Sequence, residues 1–245
     1  MASLGSALSA ARTILLPDLP HHGRTRIGPV PTAPMSMAET VDLLTAWLDD
    51  RDIAPCHLLG YSMGARTALS LATAKPSRVR SLVLISGTPG LGEESERAAR
   101  RAADDDLADR IVANGIEWFL EFWNALPLFG NMALGIDTET AELLRRELRS
   151  ADPAELAKSL RGMGTGQMPP LHRSLSVLTE HPVPLLLIVG DHDHKYRRLA
   201  AAINEMVPDA TTVVIKDAAH RPHLDNPVAV SEAILSFWSG VGEPR

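Results

Sequence analysis

The chain has 245 residues, of which 45% are hydrophobic and 22% are charged. These fractions are typical of a globular protein and exclude a largely disordered chain. The net charge of −6 argues against nucleic-acid binding, and no run of about 18 apolar residues could span a membrane. The single cysteine, Cys56, excludes an internal disulfide. We therefore expect a cytoplasmic protein with one domain, or one domain that carries an insertion.

Short apolar runs alternate with helical patterns along most of the chain. Continuous apolar runs of this kind are typical of strands that are buried on both faces of a parallel sheet. The predicted strands are Thr13–Leu16, Cys56–Leu59, Leu82–Ile85, Pro184–Val189 and Thr212–Ile215. The predicted helices are Met37–Leu48, Gly64–Thr73, Tyr196–Glu205 and Ala229–Trp238. This alternation indicates an α/β fold with a mostly parallel sheet and right-handed crossovers.

Residues 88–181 break the alternation. They contain charged, Ala- and Leu-rich helical segments and no convincing strand. An all-helical insertion between two strands predicts a cap over the carboxyl ends of the sheet, where such sheets bind ligands. The expected organisation is thus a core of residues 1–87 and 182–245 with a helical cap of residues 88–181. A helical subdomain that serves packing alone is the alternative.

A five-residue motif predicts a nucleophilic serine. The strand Cys56–Leu59 leads into Gly60-Tyr61-Ser62-Met63-Gly64, and an apolar helix follows. The pattern G-x-S-x-G at a strand-to-helix turn is a nucleophile elbow, which holds the serine hydroxyl above the end of the sheet. We expect both glycines to be needed, because side chains there would strike neighbouring backbone. The N–H of Met63, at the start of the helix, would point toward a developing oxyanion.

Two later strand ends supply partners for this serine. A serine hydroxyl becomes a strong base or nucleophile only beside a histidine that an acid orients. In the order Ser, acid, His that accompanies this elbow, Asp193 follows the fourth predicted strand and His220 follows the fifth. The sequence therefore predicts Ser62, Asp193 and His220 as a catalytic triad. Asp191 is an alternative acid, although Asp193 lies further beyond its strand.

The sequence gives no strong reason to expect a metal or a cofactor. The run His192-Asp193-His194 is of a type that sometimes binds metal. The other histidines have no spacing that demands a metal ion, and most of the nine must be surface or packing residues. We expect neither a metal nor a cofactor.

Short motifs along the chain carry a resemblance to a known family. They are Asp18-Leu19-Pro20 with His22-Gly23, Tyr61-Ser62-Met63-Gly64 with Arg66, residues 86–91, Pro127-Leu128-Phe129, Gly164-Thr165-Gly166-Gln167, residues 190–196 and Asn226-Pro227. In these motifs, and over almost all of its length, the chain resembles 2-succinyl-6-hydroxy-2,4-cyclohexadiene-1-carboxylate (SHCHC) synthase of menaquinone biosynthesis, a family of the α/β-hydrolase fold. The resemblance implies that fold with a helical cap insertion.

The resemblance also implies an elimination rather than a hydrolysis. The family acts on a cyclohexene that carries a succinyl side chain, a ring carboxylate and an enolpyruvyl ether. A base removes a ring proton, and pyruvate leaves. Ser62, deprotonated through His220, would be that base. The expected partner is therefore a small polycarboxylate, and no cofactor is implied.

Three carboxylates on one substrate require local positive charge in a protein whose net charge is negative. The resemblance places Arg66, Arg97 and Arg149 at the substrate, with Tyr61 and Trp123 as further walls of the pocket. A solvated helix face is the alternative for each arginine. It is the stronger alternative for Arg97 and Arg149, because other arginines lie close to both in sequence.

Two features depart from the family pattern. Pro20-His21-His22-Gly23 has a bulky side chain where the family has glycine. In addition, the fold normally begins with strands that end in a His-Gly pair, whose loop supplies a second oxyanion donor. No such segment precedes Thr13–Leu16, so we expect about three strands and one donor to be absent.

Three functions remain open on this basis. The first is a carbon–oxygen lyase of menaquinone synthesis, and the second is a serine esterase that uses Ser62 as an acyl nucleophile. The third is a hydrolase-fold protein that binds a ligand without turnover. The lyase is preferred because the motifs outside the triad are those of the lyase family.

Overall fold

A computed structural model of the chain describes residues 1–25, 33–53, 55–126 and 137–242. Within these residues four strands form one sheet: β1 Cys56–Tyr61, β2 Val79–Ile85, β3 Leu185–Gly190 and β4 Thr211–Ile215. Neighbouring strands are parallel, and their order in the sheet is their order in the chain. The predicted α/β fold with a mostly parallel sheet is confirmed, as are the four predicted strands that coincide with β1–β4.

Helices precede, connect and follow these strands. In chain order they are α1 Ala2–Leu8, α2 Met37–Asp49, α3 Met63–Ala74, α4 Glu94–Asn124, α5 Thr138–Arg149, α6 Pro153–Met163, α7 Val177–Glu180, α8 His194–Met206, α9 Pro222–Asp225 and α10 Pro227–Gly240. The four predicted helices correspond to α2, α3, α8 and α10. None of the described helices is long and apolar enough to cross a membrane.

Alternate residues of the central strands pack into two separate apolar layers. Leu82 and Leu84 of β2 pack into one layer with α2, α3 and α8, whereas Val83 and Ile85 pack into the other with α1 and α10. Burial on both faces explains why these strands are continuous apolar runs in the sequence. The helices therefore cover both faces of the sheet and leave the carboxyl ends of the strands for the site.

The predicted strand Thr13–Leu16 is wrong. These residues have no regular secondary structure, and Leu15 and Leu16 are 49% and 54% exposed. A strand exists only through hydrogen bonds to a neighbouring strand. In the described part of the chain, β1 pairs only with β2, so no strand lies beside β1 on its outer edge. An apolar run that finds no such partner does not join the sheet.

The segment between β2 and β3 contains no strand within its described residues. Its long helix α4 changes direction at Gly115, whose φ of 80° lies outside the helical region. Residues Ile111, Phe119 and Leu120 of α4 form an apolar cluster that packs against α6. The division of the chain into a core and a cap of residues 88–181 stays a prediction.

Candidate active site

The turn between β1 and α3 holds Ser62 in an uncommon backbone conformation. Its φ of 50° and ψ of −106° cost free energy for a residue that is not glycine. The N–H of Ser62 donates to the carbonyl oxygen of Ile85 at 2.9 Å, so the end of β2 helps to fix the turn. Because α3 begins at Met63, the N–H of Met63 has no acceptor within the helix and remains available at the turn.

Only one of the two glycines of this turn is required for space. A Cβ at Gly60 would lie 2.2 Å from the carbonyl oxygen of Gly64, well inside van der Waals contact. A Cβ at Gly64 would meet no atom of the described residues within 4 Å, apart from those of its own helix turn and chain neighbours. The expectation of a backbone clash is therefore right for Gly60 and wrong for Gly64.

Ser62, His220 and Asp193 form one chain of hydrogen bonds. The Ser62 hydroxyl oxygen lies 3.2 Å from Nε2 of His220, and Nδ1 of His220 lies 2.8 Å from Oδ2 of Asp193. When His220 is neutral, its Nδ1–H donates to the carboxylate and its Nε2 accepts from the hydroxyl. His220 is 1% and Asp193 is 6% exposed, so protein shields the pair from water. Such an arrangement can transfer the serine proton to the imidazole.

The acid that contacts His220 is Asp193, whereas the alternative acid, Asp191, contacts the backbone of the loop before His220. Oδ1 of Asp193 accepts from the N–H of Tyr196 at the start of α8, which leaves Oδ2 for His220. Oδ1 of Asp191 accepts from the N–H of Ala218 at 3.0 Å. Asp191 therefore holds the loop that carries His220, while Asp193 orients the imidazole.

That loop must cross the sheet to reach the serine. Ser62 follows β1 and His220 follows β4, and these strands are three spacings apart, or roughly 14 Å. A Cβ at Gly190, the last residue of β3, would lie 2.2 Å from the carbonyl oxygen of Ala218 and 2.3 Å from that of Ala219. The loop thus lies directly on Gly190, and the absence of a side chain at this position lets His220 extend toward Ser62.

Uncharged rings surround His220. The centroid of its imidazole lies 5.4 Å from that of Tyr61 and 4.4 Å from that of Tyr196. Burial raises the pKa of both tyrosines. The ring of His223 packs on Tyr61 at 4.4 Å, and burial lowers the pKa of His223 to about 3. All three rings are therefore neutral near pH 7, and electrostatic interactions beside the triad are weakly screened.

A cavity of about 2280 Å³ runs from the triad beneath α4–α6 and along the outer edge of β1 to α1. Small-molecule pockets are usually about 300–1,000 Å³, so this cavity has room for a substrate with several substituents. Most of the site residues predicted from the sequence line it, namely Tyr61, Ser62, Met63, Arg66, Trp123, Arg149 and His220.

Arg66 places a buried positive charge in the wall of the cavity. It is 9% exposed, and its Nη1 donates to the carbonyl oxygen of Met163 at 2.6 Å. Burial lowers the pKa of its guanidinium to about 10, which leaves it charged near pH 7. Among the described residues no carboxylate forms a hydrogen bond or ion pair with Arg66. A buried cation without a carboxylate partner is well suited to bind an anionic ligand.

The structure does not bring Arg97 to the cavity. Its Nε and Nη2 donate to Glu94 at 2.9 and 2.6 Å, and its Nη1 donates to the carbonyl oxygens of Leu91 and Gly92. Arg97 lies in the first turn of α4, so these nearby acceptors hold its side chain on the preceding loop. The expectation that Arg97 lies at the substrate therefore finds no support in this geometry, because local acceptors hold its side chain away from the cavity.

Arg100, one helical turn further along, lines the cavity instead. Its Nε donates to Oδ1 of Asp104 at 2.8 Å. Sequence reasoning missed Arg100 because three arginines lie within five residues of α4, and composition does not show which of them faces inward. Arg100 has Asp104 four residues later, the spacing of neighbours on one helix face, but Arg101 has Asp105 at the same spacing, so this signal does not separate the two.

Arg149 and Trp123 line the cavity from the helices between β2 and β3. The Nε of Arg149 donates to both carboxylate oxygens of Glu117 at 3.0 and 3.2 Å, and the Arg149 side chain is 57% exposed. The ring of Trp123 packs against Phe119 with centroids 5.2 Å apart. Arg149 is thus a cation at the solvent-exposed rim, in contrast to Arg66.

The structure describes one of two further motifs that carry the resemblance and not the other. Pro127-Leu128-Phe129 lies outside the described residues. In Gly164-Thr165-Gly166-Gln167, the first two residues line the cavity. A Cβ at Gly166 would lie 2.6 Å from the backbone nitrogen of Arg101, so this turn packs closely on α4.

His21, which stands where the resemblance predicts glycine, contacts the helical segment above the sheet. Its φ is 67°, in the left-handed region that favours glycine. The side chain is buried, its Nδ1 lies 2.7 Å from Oε2 of Glu155 in α6, and its Nε2 accepts from the N–H of Met35 at 3.1 Å. The departure therefore adds a polar connection between α6 and the chain that leads into α2.

One group of side chains has the spacing of metal ligands. Among the described residues, the potential ligand atoms of Asp191, His192 and Asp217 lie within 4.8 Å of one another. His192 and Asp217 are exposed, and Asp191 already accepts a hydrogen bond from Ala218. The chemistry of the triad does not require an ion at this place.

Comparison with known proteins gives a consistent result. The sequence pattern of the alpha/beta hydrolase family matches residues 1–233. A protein of Bacillus subtilis (strain 168), provisionally named SHCHC synthase, is 34% identical over 224 residues, which are 90% of this chain and 78% of that protein. The SHCHC synthase of Salmonella heidelberg (strain SL476) is 32% identical over 222 residues, which are 90% of this chain and 81% of that protein.

Solved structures agree with these sequence matches. The structure of MenH from S. aureus aligns with a TM-score of 0.84 at 32% sequence identity, over 91% of this chain and 82% of that chain. A thermophilic esterase from Thermogutta terrifontis aligns with a TM-score of 0.77 at 22% identity, which shows a shared fold alone. By sequence pattern, by its relatives and by its fold, this chain belongs to the alpha/beta hydrolase family.

Proposed function

We propose that this chain is a carbon–oxygen lyase of menaquinone biosynthesis. It would eliminate pyruvate from 2-succinyl-5-enolpyruvyl-6-hydroxy-3-cyclohexene-1-carboxylate and leave SHCHC. The observation that carries the proposal is the hydrogen-bonded chain of Ser62, His220 and Asp193, which meets a cavity lined by buried positive charge. The names of the relatives at 34% and 32% identity support the same reaction.

In this proposal Ser62 is the base that removes a ring proton. Its hydroxyl gives a proton to Nε2 of His220, and the carboxylate of Asp193 stabilises the resulting imidazolium. The serine oxygen takes the ring proton, and the electron pair of the C–H bond forms a new ring double bond. The existing ring double bond moves to the carbon that carries the enolpyruvyl ether, and the C–O bond at that carbon breaks. Pyruvate leaves as its enolate and takes the proton from His220, which restores both side chains.

Negative charge develops on the succinyl carbonyl as the proton is removed. The N–H of Met63, at the start of α3, is a fixed donor for that oxygen. The neutral rings of Tyr61 and Tyr196 exclude water from the region and weaken screening, so one fixed donor stabilises the charge more than it would in water.

The carboxylates of the substrate would bind to arginines in the cavity wall. Arg66 and Arg100 supply positive charge close to the triad, and Arg149 supplies it at the rim. Each guanidinium can hold a carboxylate through two parallel hydrogen bonds, which fixes both position and orientation. Tyr61 and Trp123 form further walls of the same cavity. In this way a protein with a net charge of −6 can collect a trianionic substrate.

Release of pyruvate from the enolpyruvyl substrate tests this proposal. The purified protein is mixed with the substrate, and pyruvate is measured through oxidation of NADH by lactate dehydrogenase. We expect pyruvate and SHCHC to form in equal amounts. Rapid cleavage of aryl esters without any release of pyruvate would identify an esterase, and binding of the substrate without turnover would identify a binding protein. Either result would overturn the lyase.

A further inference from the structure

Asp104 is a buried acid on the face of α4 that points toward α6. It is 4% exposed, whereas the side chains of Asp105 and Asp106 in the same acidic run are 53% and 70% exposed. Oδ1 of Asp104 accepts from Nε of Arg100, but Oδ2 has no hydrogen-bond partner within the described residues. Burial of a carboxylate with one oxygen unpaired costs free energy, so a purely structural role is a poor explanation for this residue.

The charge of Asp104 interacts with two arginines of the cavity wall, Arg66 and Arg100. Burial is the main cause of the lowered pKa of Arg66; repulsion from Arg100 lowers this pKa further, and attraction to Asp104 raises it. Arg66 and Arg100 likewise lower the pKa of Asp104, against the larger effect of burial, which raises it. Asp104 itself does not line the cavity, so this carboxylate lies behind the two cations that do.

Gly164 provides the space that Asp104 occupies. A Cβ at Gly164 would lie 2.4 Å from Oδ2 of Asp104 and 2.5 Å from the carbonyl oxygen of Leu160. Gly164 follows Met163, whose carbonyl oxygen accepts from Arg66, and Gly164 also lines the cavity. One short segment therefore contacts the Asp104 carboxylate and the Arg66 guanidinium at neighbouring positions.

We propose that Asp104 is a positioning residue for a carboxylate-binding subsite formed by Arg66 and Arg100. It fixes Arg100 through Nε, which leaves the two terminal nitrogens of that guanidinium available to a ligand. Its negative charge also offsets the repulsion between the two cations, so that both can face the same carboxylate. This inference rests on the proposed function only in taking the substrate to be a polycarboxylate.

Two variants distinguish the hydrogen bond that Asp104 accepts from the negative charge that it carries. Asp104→Asn keeps an oxygen that can accept from Arg100 and removes the charge, whereas Asp104→Ala removes both. Asp106→Asn removes the same charge from an exposed position of the same helix and serves as the control. Gly164→Ala disturbs the Asp104 carboxylate from the opposite side without any change of charge.

Binding of benzene-1,2,4-tricarboxylate, measured by isothermal titration calorimetry, tests the subsite without turnover. We expect Asp104→Ala to raise Kd about tenfold or more, the loss that follows removal of a charge-assisted hydrogen bond. Asp104→Asn should give a smaller increase, because the acceptor remains, and Asp106→Asn should stay within about twofold of the wild type. Gly164→Ala should weaken binding as Asp104→Ala does. The trimethyl ester of the probe should bind much more weakly than the probe to every variant.

Thermal unfolding of the same proteins separates positioning from folding. Asp104→Asn should keep or raise Tm, because it removes a buried charge whose Oδ2 is unpaired. The proposal is overturned if Asp104→Ala and Asp104→Asn both bind the probe as the wild type does. It is equally overturned if the triester binds as tightly as the tricarboxylate, or if Asp104→Asn loses binding only in proportion to unfolding. This test does not measure pyruvate release. A failure of the pyruvate assay would therefore not decide whether Asp104 positions the arginines.

Discussion

The triad and the arginines of the cavity are held in place by different kinds of structure. Ser62, Asp193 and His220 all follow strands, so the carboxyl edge of the sheet sets their positions. The arginines project from helices, and each guanidinium is oriented by an acceptor on another turn or another helix. Arg66 uses the backbone of Met163. On the proposed function, this site separates the chemical step from substrate capture, since the backbone of the sheet positions the triad and side-chain pairs position the arginines.

The largest expected effect comes from the triad side. Ser62→Ala should reduce kcat about 10³-fold or more, because the variant has no hydroxyl to act as base. Tm should change little, since the substitution leaves the turn and its hydrogen bond to β2 intact. Steady-state pyruvate release measures kcat, with Ser95→Ala, at an exposed position of α4, as the control. A rate close to that of the wild type would remove Ser62 from the mechanism. It would also contradict the assignment of the chemical step to the triad and of substrate capture to the arginines.

A pair of variants on the arginine side should affect KM more than kcat. Arg66→Ala should raise KM about tenfold or more, because a buried cation that binds a carboxylate is lost. Arg97→Ala should leave both constants within about twofold, since the partners of Arg97 among the described residues are Glu94 and the loop before α4. Steady-state kinetics of the purified variants checks both. Equal losses in the two variants would contradict the placement of Arg66 in the cavity and of Arg97 outside it.

A smaller effect, on the pH dependence of stability, tests whether water is excluded from the rings beside the triad. Burial keeps His223 neutral in the folded state with a pKa of about 3, whereas its ordinary pKa is about 6.5. Between these values the unfolded chain binds the extra proton, so the free energy of unfolding falls as the pH decreases from about 6.5.

His223→Phe keeps a ring against Tyr61 and removes this proton. It should lessen the loss of stability between pH 7 and pH 5 by about 2 kcal/mol, as measured by urea unfolding at the two pH values. An identical loss in the variant and the wild type would mean that water reaches His223 in the folded state.

Most of the core and the triad could be predicted from the sequence because their signals are local. Each strand is a continuous apolar run, and each triad residue comes within five residues after the end of such a run. Thr13–Leu16 has the same local pattern and is not a strand, because a strand also needs a neighbour, which the pattern does not contain. The sequence also did not show that β1 and β4 are three strands apart. It therefore did not predict that the loop carrying His220 needs a glycine at position 190.

The arginines illustrate the other limit. Four arginines and four acids lie between residues 97 and 110 of α4, so composition does not decide which side chains face the cavity. The phase of the helix and the acid partner of each arginine decide it, and both depend on how α4 packs. For the same reason the sequence alone did not single out Asp104, whose burial distinguishes it from its two neighbours.

The loop that lies on Gly190 has a consequence for how the site is made. Ser62 and His220 are separated by 158 positions, and they meet only after the last strand has joined the sheet. Contacts between residues so distant in sequence close late in folding, because the chain must first lose the entropy of the intervening loop. A growing or partly folded chain thus carries its serine long before it carries a base for it. On the proposed function, activity therefore requires that β4 has docked in the sheet.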